Sequence, residues 1–133
     1  METIIRPHYH ILARLGLLII LPTILVLALM PVSQAPLPNW NDKIQHILAF
    51  ATITLLIDAA WPTMPLNYQK ILAIISYGFL IEILQSFTED RSASFADIVA
   101  DAGGIFLYWL SIPFLQKLPV LKIRWHFSQD RLC

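Results

Sequence analysis

Cysteine is nearly absent from this sequence of 133 residues, in which Cys133 is the single example. One cysteine cannot form a disulfide within the chain, and no Cys/His set has the spacing of a structural zinc site. Charged residues are also scarce, at 14% of the chain, and nine basic residues are balanced by nine acidic ones. Because the sequence has no basic patch, we expect no nucleic-acid partner.

Hydrophobic residues make up 57% of the sequence, which is more than the core of a soluble domain requires. They fall into four long apolar runs at about residues 11–30, 44–61, 71–87 and 95–118. A helix needs ~20 such residues to cross the hydrocarbon of a bilayer. The sequence therefore predicts an all-α fold, in which residues 1–133 form a single domain, a four-helix transmembrane bundle in the lipid bilayer.

The first apolar run has the flanks of a secretory signal peptide, because Arg6 and Arg14 lie near its start and Ser33-Gln34-Ala35 follows it. The run is longer than the apolar part of such a peptide. We therefore expect a helix that is retained in the protein.

The distribution of basic residues predicts the orientation, because short loops rich in Lys and Arg stay in the cytoplasm. Four spans place both termini on one side of the membrane. If that side is the cytoplasm, only Lys43 and Arg91 lie outside, and seven basic residues lie inside: Arg6, Arg14, Lys70, Lys117, Lys122, Arg124 and Arg131. We therefore expect both termini to be cytoplasmic.

Polar residues recur with helical spacing in the last three runs. Gly78, Glu82 and Gln85 share one face of the third helix, and Asp97, Asp101 and Gly104 share one face of the fourth. A carboxylate facing lipid would cost ~2.5 to 3.5 kcal/mol, so these side chains should point inward and find partners. We expect an outward-facing polar pocket rimmed by the loop TEDRSAS, with close helix packing at Gly78 and Gly104, and with these polar members: Asp42, Lys43, His46, Glu82, Gln85, Arg91, Asp97 and Asp101.

The same polar residues also have purely structural explanations. Asp42 would cap the second helix, and His46 would hydrogen-bond a neighbouring carboxylate. Glu82 would form a structural ion pair. Asp101 lies too far inside its helix to act as a cap.

Three ordered motifs resemble those of the VanZ-like family. They are DK-x2-H at Asp42, Lys43 and His46, then G-x3-E-x2-Q at Gly78, Glu82 and Gln85, then a segment with Arg91, Ser94, Asp97, Asp101 and Gly104. Asp101 stands where the family usually has asparagine. The resemblance covers about residues 42–104 and adds Ser94 to the expected pocket. It implies a multi-pass protein of the bacterial cell membrane and cell envelope, in a family whose founding member is associated with resistance to the glycopeptide teicoplanin.

Three classes of function fit these features. The first, which we favour, is a non-enzymatic envelope protein whose pocket binds a lipid head group, a peptidoglycan precursor or a partner membrane protein. The second is a membrane enzyme acting on lipid-linked phosphates. Its candidate residues would either bind a divalent metal or act as acid and base, and they are His46, Glu82, Asp97 and Asp101. Hard oxygen ligands suit Mg²⁺ or Ca²⁺. No catalytic motif such as G-x-S-x-G or H-E-x-x-H accompanies them. The third is an ion- or proton-coupled transporter, for which Asp58 is the one inner acidic residue.

The expected orientation places the loop TEDRSAS outside the cytoplasm. A cysteine introduced by Ser86→Cys, Thr88→Cys or Ser92→Cys should therefore react with a membrane-impermeant thiol reagent in intact cells. Thr63→Cys, in the loop between the second and third runs, is the control and should react only after lysis. Protection of the first three positions in intact cells would contradict the orientation.

Overall fold

The computed structural model of the protein describes residues 8–34, 41–89 and 93–129, and the regular structure in these ranges is entirely helical. The prediction of an all-α fold is confirmed. Each long helix begins and ends within three residues of one apolar run. The helices are α1 (Tyr9–Leu29), α2 (Asp42–Ala60), α3 (Tyr68–Gln85), α4 (Phe95–Leu115) and the short α5 (Ile123–Gln129), with a 3-10 turn at Val32–Gln34.

Three of these helices, α1, α2 and α4, are long and apolar enough to cross a membrane. The 18-residue α3 is more polar, because it includes Lys70, Glu82 and Gln85. Large apolar side chains also cover the outside of the helices, and Leu18 and Ile19 of α1 are 72% and 69% exposed. Exposed apolar surface of this extent is stable in lipid and not in water, which indicates a membrane protein.

Polar side chains cap the helices that carry the polar motifs. At the start of α2, Asn41 Oδ1 accepts a hydrogen bond of 2.9 Å from the backbone N–H of Lys43. Asn67 and Ser94 cap α3 and α4 in the same way. The structural explanation of Asp42 as the cap of α2 is therefore wrong. Asp42 is the first residue inside the helix, where its negative charge lies at the positive end of the helix dipole.

The contacts between helix ends indicate that α1 and α3 run opposite to α2 and α4. Arg14 near the start of α1 donates to Ala60 O at the end of α2, and Lys43 at the start of α2 contacts Asp97 at the start of α4. The two parallel helices, α2 and α4, pack against each other most extensively. Phe50 and Ile53 of α2 lie at the centre of the apolar core and are at most 1% exposed.

Gly104 is the residue that lets α4 approach the backbone of α2. A Cβ atom at this position would lie 2.5 Å from Ile47 O, 2.8 Å from Phe50 Cβ and 2.9 Å from Ala51 N. Real Cβ atoms do not make such contacts, and two of these neighbours are backbone atoms that cannot turn away. The neighbouring Gly103 has more space, because its Cβ would lie 3.6 Å from Ile47 Cγ1.

We expect Gly104→Ala to destabilise the fold and Gly103→Ala to be tolerated. Forcing an extra methyl group into a packed helix contact typically costs ~1 to 3 kcal/mol. Alanine at position 103 would make an ordinary van der Waals contact and improve the helix propensity. The measurement is the unfolding midpoint of the detergent-solubilised protein, and equal midpoints for the two variants would contradict the close approach at Gly104.

Candidate functional site

Five polar side chains meet where α2 and α4 begin and α3 ends. We name them the His46 cluster: Lys43, His46, Glu82, Asp97 and Asp101. His46 Nδ1 lies 2.7 Å from Asp101 Oδ1, and Lys43 Nζ lies 3.1 Å from Asp97 Oδ1. The structure therefore brings together residues from all three motifs that were selected in the sequence.

The His46 cluster is largely buried. His46, Asp97 and Asp101 are 8%, 3% and 0% exposed, whereas half of the Lys43 side chain is accessible. Asp101 Oδ2 faces Gly78, because a Cβ on that glycine would collide with this oxygen. The cluster is thus a buried, carboxylate-rich group with a half-exposed ammonium group at its edge.

Glu82 connects the end of α3 to the start of α4. Its Oε2 accepts a hydrogen bond of 2.7 Å from the backbone N–H of Ser94, the residue that caps α4. Its other oxygen, Oε1, is buried and has no hydrogen-bond partner among the described residues, and the same holds for Asp101 Oδ2. Buried polar atoms without partners are rare in folded proteins, so these two oxygens are unusual features of the His46 cluster. Arg91, which was expected in the pocket, lies outside the described residues.

A groove adjoins the His46 cluster on the side of α1. It has a volume of about 220 Å³, and its polar lining consists of Asp42, Gln45, His46 and Gln85. Its wall is apolar and is formed chiefly by Ile24, Leu27, Ala28, Leu48, Ala49 and Ile81. Gln85 also fixes the helices around the groove, because its Nε2 donates a 2.9 Å hydrogen bond to Ala28 O.

Within the described residues, one set of side chains has potential metal ligands close together. Atoms of Asp42, His46 and Asp97 all lie within 4.8 Å of one another. The set shares His46 and Asp97 with the ligands proposed from the sequence. It contains neither Asp101, which pairs with His46 Nδ1, nor Glu82, which accepts from Ser94.

A second ionic group, the Asp58 cluster, lies at the opposite end of the helices and consists of Asp58, Lys70, Tyr108 and Arg124. Lys70 Nζ donates to Asp58 Oδ1 at 2.8 Å, and Tyr108 Oη donates to Oδ2 at 2.8 Å. The Arg124 guanidinium donates to both oxygens at 2.9 Å. Asp58 is 1% exposed, and both of its oxygens are fully engaged.

The two cations of the Asp58 cluster also hold the loop between α2 and α3. Lys70 Nζ donates to Trp61 O and Met64 O, and Arg124 donates to Pro62 O and Met64 O. Every strong donor of the cluster is thus directed at a carboxylate or carbonyl oxygen. Such saturation is typical of a structural ion network.

The sequence did not predict the Asp58 cluster, because Asp58 was considered only as the one inner acidic residue of a possible transporter. One signal was present, since alternating helix directions place Lys70 at the same end as Asp58. No spacing rule leads to Arg124, which lies 66 residues after Asp58 and approaches it from α5.

Comparisons with known proteins assign no relative to the chain. No protein-family model, no curated protein and no solved structure matches it.

We expect Asp58→Asn to be one of the most destabilising substitutions in the protein. It leaves the buried Lys70 and Arg124 without their counter-charge, and breaking a buried pair in this way costs ~3 to 5 kcal/mol. Tyr108→Phe, the control, removes one hydrogen bond and should cost only ~0.5 to 1.5 kcal/mol. The measurement is the free energy of unfolding in detergent, and a loss for Asp58→Asn no greater than that for Tyr108→Phe would contradict the network.

Proposed function

We propose that the protein is a VanZ-like integral membrane protein of the bacterial cell envelope that binds one amphiphilic lipid. The head group occupies the His46 cluster, and part of the acyl or prenyl chain lies in the adjoining groove. The observation that carries this proposal is the groove itself, which combines an apolar wall with the polar side chains of Asp42, His46 and Gln85. An apolar surface next to a polar one matches a lipid, which has an apolar chain and a polar head group.

The size of the groove favours partial burial of a lipid chain. Small-molecule pockets usually measure ~300 to 1,000 Å³ and enclose most of their ligand. At about 220 Å³ the groove takes in less. The remainder of the chain would stay in the bilayer. The polar lining of the groove would provide the selectivity, because the apolar wall can contact the chain of any membrane lipid.

The charges of the His46 cluster suit a head group that combines phosphate with amine or hydroxyl groups. Lys43, whose side chain is 51% exposed, offers an ammonium group to a phosphate. Asp42 and Asp97 accept hydrogen bonds from amines or hydroxyls. Both a phospholipid and a lipid-linked peptidoglycan precursor have this chemistry. A precursor would connect the site with the glycopeptide susceptibility that the VanZ-like resemblance implies.

The proposal includes four membrane spans, α1 to α4, with both termini in the cytoplasm. The helix contacts support it, because consecutive long helices run in opposite directions. With four such spans, the His46 cluster would lie on one side of the membrane and most basic residues on the other. The resemblance supports it as well, since its three motifs meet in the His46 cluster. The groove and cluster would then open to the outer leaflet.

An alternative function, metal-assisted chemistry on a lipid-linked phosphate, shares the same site and is favoured by the grouping of Asp42, His46 and Asp97. Binding is preferred, because the groove beside the His46 cluster offers an apolar wall for a lipid chain. A transporter is less well supported, because the Asp58 cluster at the other end has no unsatisfied oxygen on Asp58 to receive an ion.

We expect Leu48→Trp, which fills the groove, to weaken binding of the lipid by at least ~10-fold, equivalent to ~1.4 kcal/mol. Val26→Trp is the matched control, because Val26 is 60% exposed on α1 and does not line the groove. Native mass spectrometry of the detergent-solubilised protein measures retained lipid, with phosphatidylethanolamine, phosphatidylglycerol and polyprenyl diphosphate added in separate experiments.

Preference for the polyprenyl diphosphate would identify a precursor as the lipid, and preference for a glycerophospholipid would identify a bilayer lipid. Equal lipid retention by Leu48→Trp, Val26→Trp and the unmodified protein would contradict the proposed function.

A further inference from the structure

We infer that Asp42, His46 and Asp97 form a site for one divalent transition-metal ion, with Zn²⁺ and Mn²⁺ as the ions that fit best. The ion would keep open coordination positions, and at one of them it would hold a phosphate oxygen. The link to phosphate rests on the proposed function, but the metal site itself does not.

The geometry of the three side chains is close to that of a metal site. Asp42 and His46 lie one helical turn apart on α2, a spacing that directs both toward the same point, and Asp97 approaches from α4. Their candidate ligand atoms lie within 4.8 Å of one another. Metal bonds of ~2.0 to 2.2 Å bring ligand atoms roughly 3 to 4 Å apart. Small side-chain rotations are therefore sufficient to close the site around an ion.

His46 has the carboxylate partner that metal-binding histidines often have. Its Nδ1 lies 2.7 Å from Asp101 Oδ1, and Asp101 is completely buried. When Nδ1 donates its hydrogen to this carboxylate, the lone pair resides on Nε2. A carboxylate that hydrogen-bonds the far nitrogen of a histidine is a common feature of zinc sites, where it fixes the ring and raises its basicity. Asp101 is thus a positioning residue in this site.

A buried oxygen without a partner provides an independent indication of a ligand. Glu82 is 6% exposed, and its Oε1 has no hydrogen-bond partner among the described residues. The carboxylate reaches the start of α4, because its Oε2 accepts a hydrogen bond from the backbone N–H of Ser94, three residues before Asp97. A water molecule on the metal ion would donate a hydrogen bond to Oε1 and so satisfy it.

Lys43 is compatible with the ion. Its Nζ contacts Oδ1 of Asp97, and half of its side chain is accessible, so it can turn toward solvent when the metal binds. The displaced ammonium group would remain beside the site. It could then contact a second oxygen of a phosphate that the metal holds.

The donor set decides which ions fit. One imidazole nitrogen with two carboxylates suits Zn²⁺ and Mn²⁺. Mg²⁺ and Ca²⁺ prefer oxygen ligands throughout, so the imidazole makes the ions considered from sequence less suitable.

The test measures Zn²⁺ binding to the full chain in detergent, without added lipid, by competition with a chromophoric chelator. We expect one ion per chain. Asp42→Asn and Asp97→Asn should each weaken binding by more than ~100-fold, and Asp101→Asn by ~10- to 100-fold, as for other residues that orient a metal ligand. Glu89→Gln, which removes an exposed acidic residue of the same end, is the matched control and should leave the affinity unchanged.

Visible absorption of the Co²⁺-loaded protein identifies the nitrogen ligand, because His46→Gln should alter the spectrum if the ion is bound there. Asp42 is partly exposed, so Asp42→Asn keeps the test valid should His46→Gln fail to fold. Absence of Zn²⁺ binding, or equal affinity in Asp42→Asn, Asp97→Asn and Glu89→Gln, would overturn the inference.

The metal site and the proposed function can fail separately. Zn²⁺ binding that depends on Asp42 and Asp97, without retention of any lipid, would support the site and refute the lipid function. Lipid retention that is unchanged by a chelator, in a protein that binds no Zn²⁺, would refute the site and leave the lipid function standing.

Discussion

The contact between α2 and α4 at Gly104 sets the register on which both ionic clusters depend. Because a glycine lets α4 lie against the backbone of Ile47 and Ala51, the side chains one or two turns away meet in pairs. Lys43 then reaches Asp97 at the shared start of the two helices. A register shift of one residue between α2 and α4 would turn these groups toward lipid, where an unpaired charge is costly. The absence of one Cβ atom therefore positions charged groups along the length of two helices.

The two clusters differ in how many of their buried carboxylate oxygens have hydrogen-bond partners. In the Asp58 cluster every lone pair of the carboxylate receives a donor, and the surplus donors bind carbonyl oxygens of the neighbouring loop. In the His46 cluster, two buried oxygens receive none from the described residues. A fully satisfied buried polar network is rigid. The two ends of the helices therefore differ in how completely their buried carboxylates are hydrogen-bonded.

The sequence contained the location of the His46 cluster but not its pairings. Residues at i, i+4 and i+7 must share a helix face, and alternating helix directions bring three such faces to one end. The pairing of His46 with Asp101, however, depends on helix rotation, and the contact of Glu82 with the Ser94 backbone depends on the path of a loop. Local patterns do not encode either quantity. The Asp58 cluster escaped prediction for the same reason, since its strongest partner arrives from a distant, weakly patterned segment.

The position of Arg124 has a consequence for the order in which the protein is made. Asp58 and Lys70 leave the ribosome first, whereas Arg124 follows 66 residues after Asp58. During that interval Asp58 has Lys70 as its only cationic partner of the cluster, and the carbonyl groups of Pro62 and Met64 lack their guanidinium donor. The early helices therefore enter the membrane with an incomplete polar end, and α5 closes it last. The polar end of the bundle can therefore be completed only after Arg124 has been synthesised.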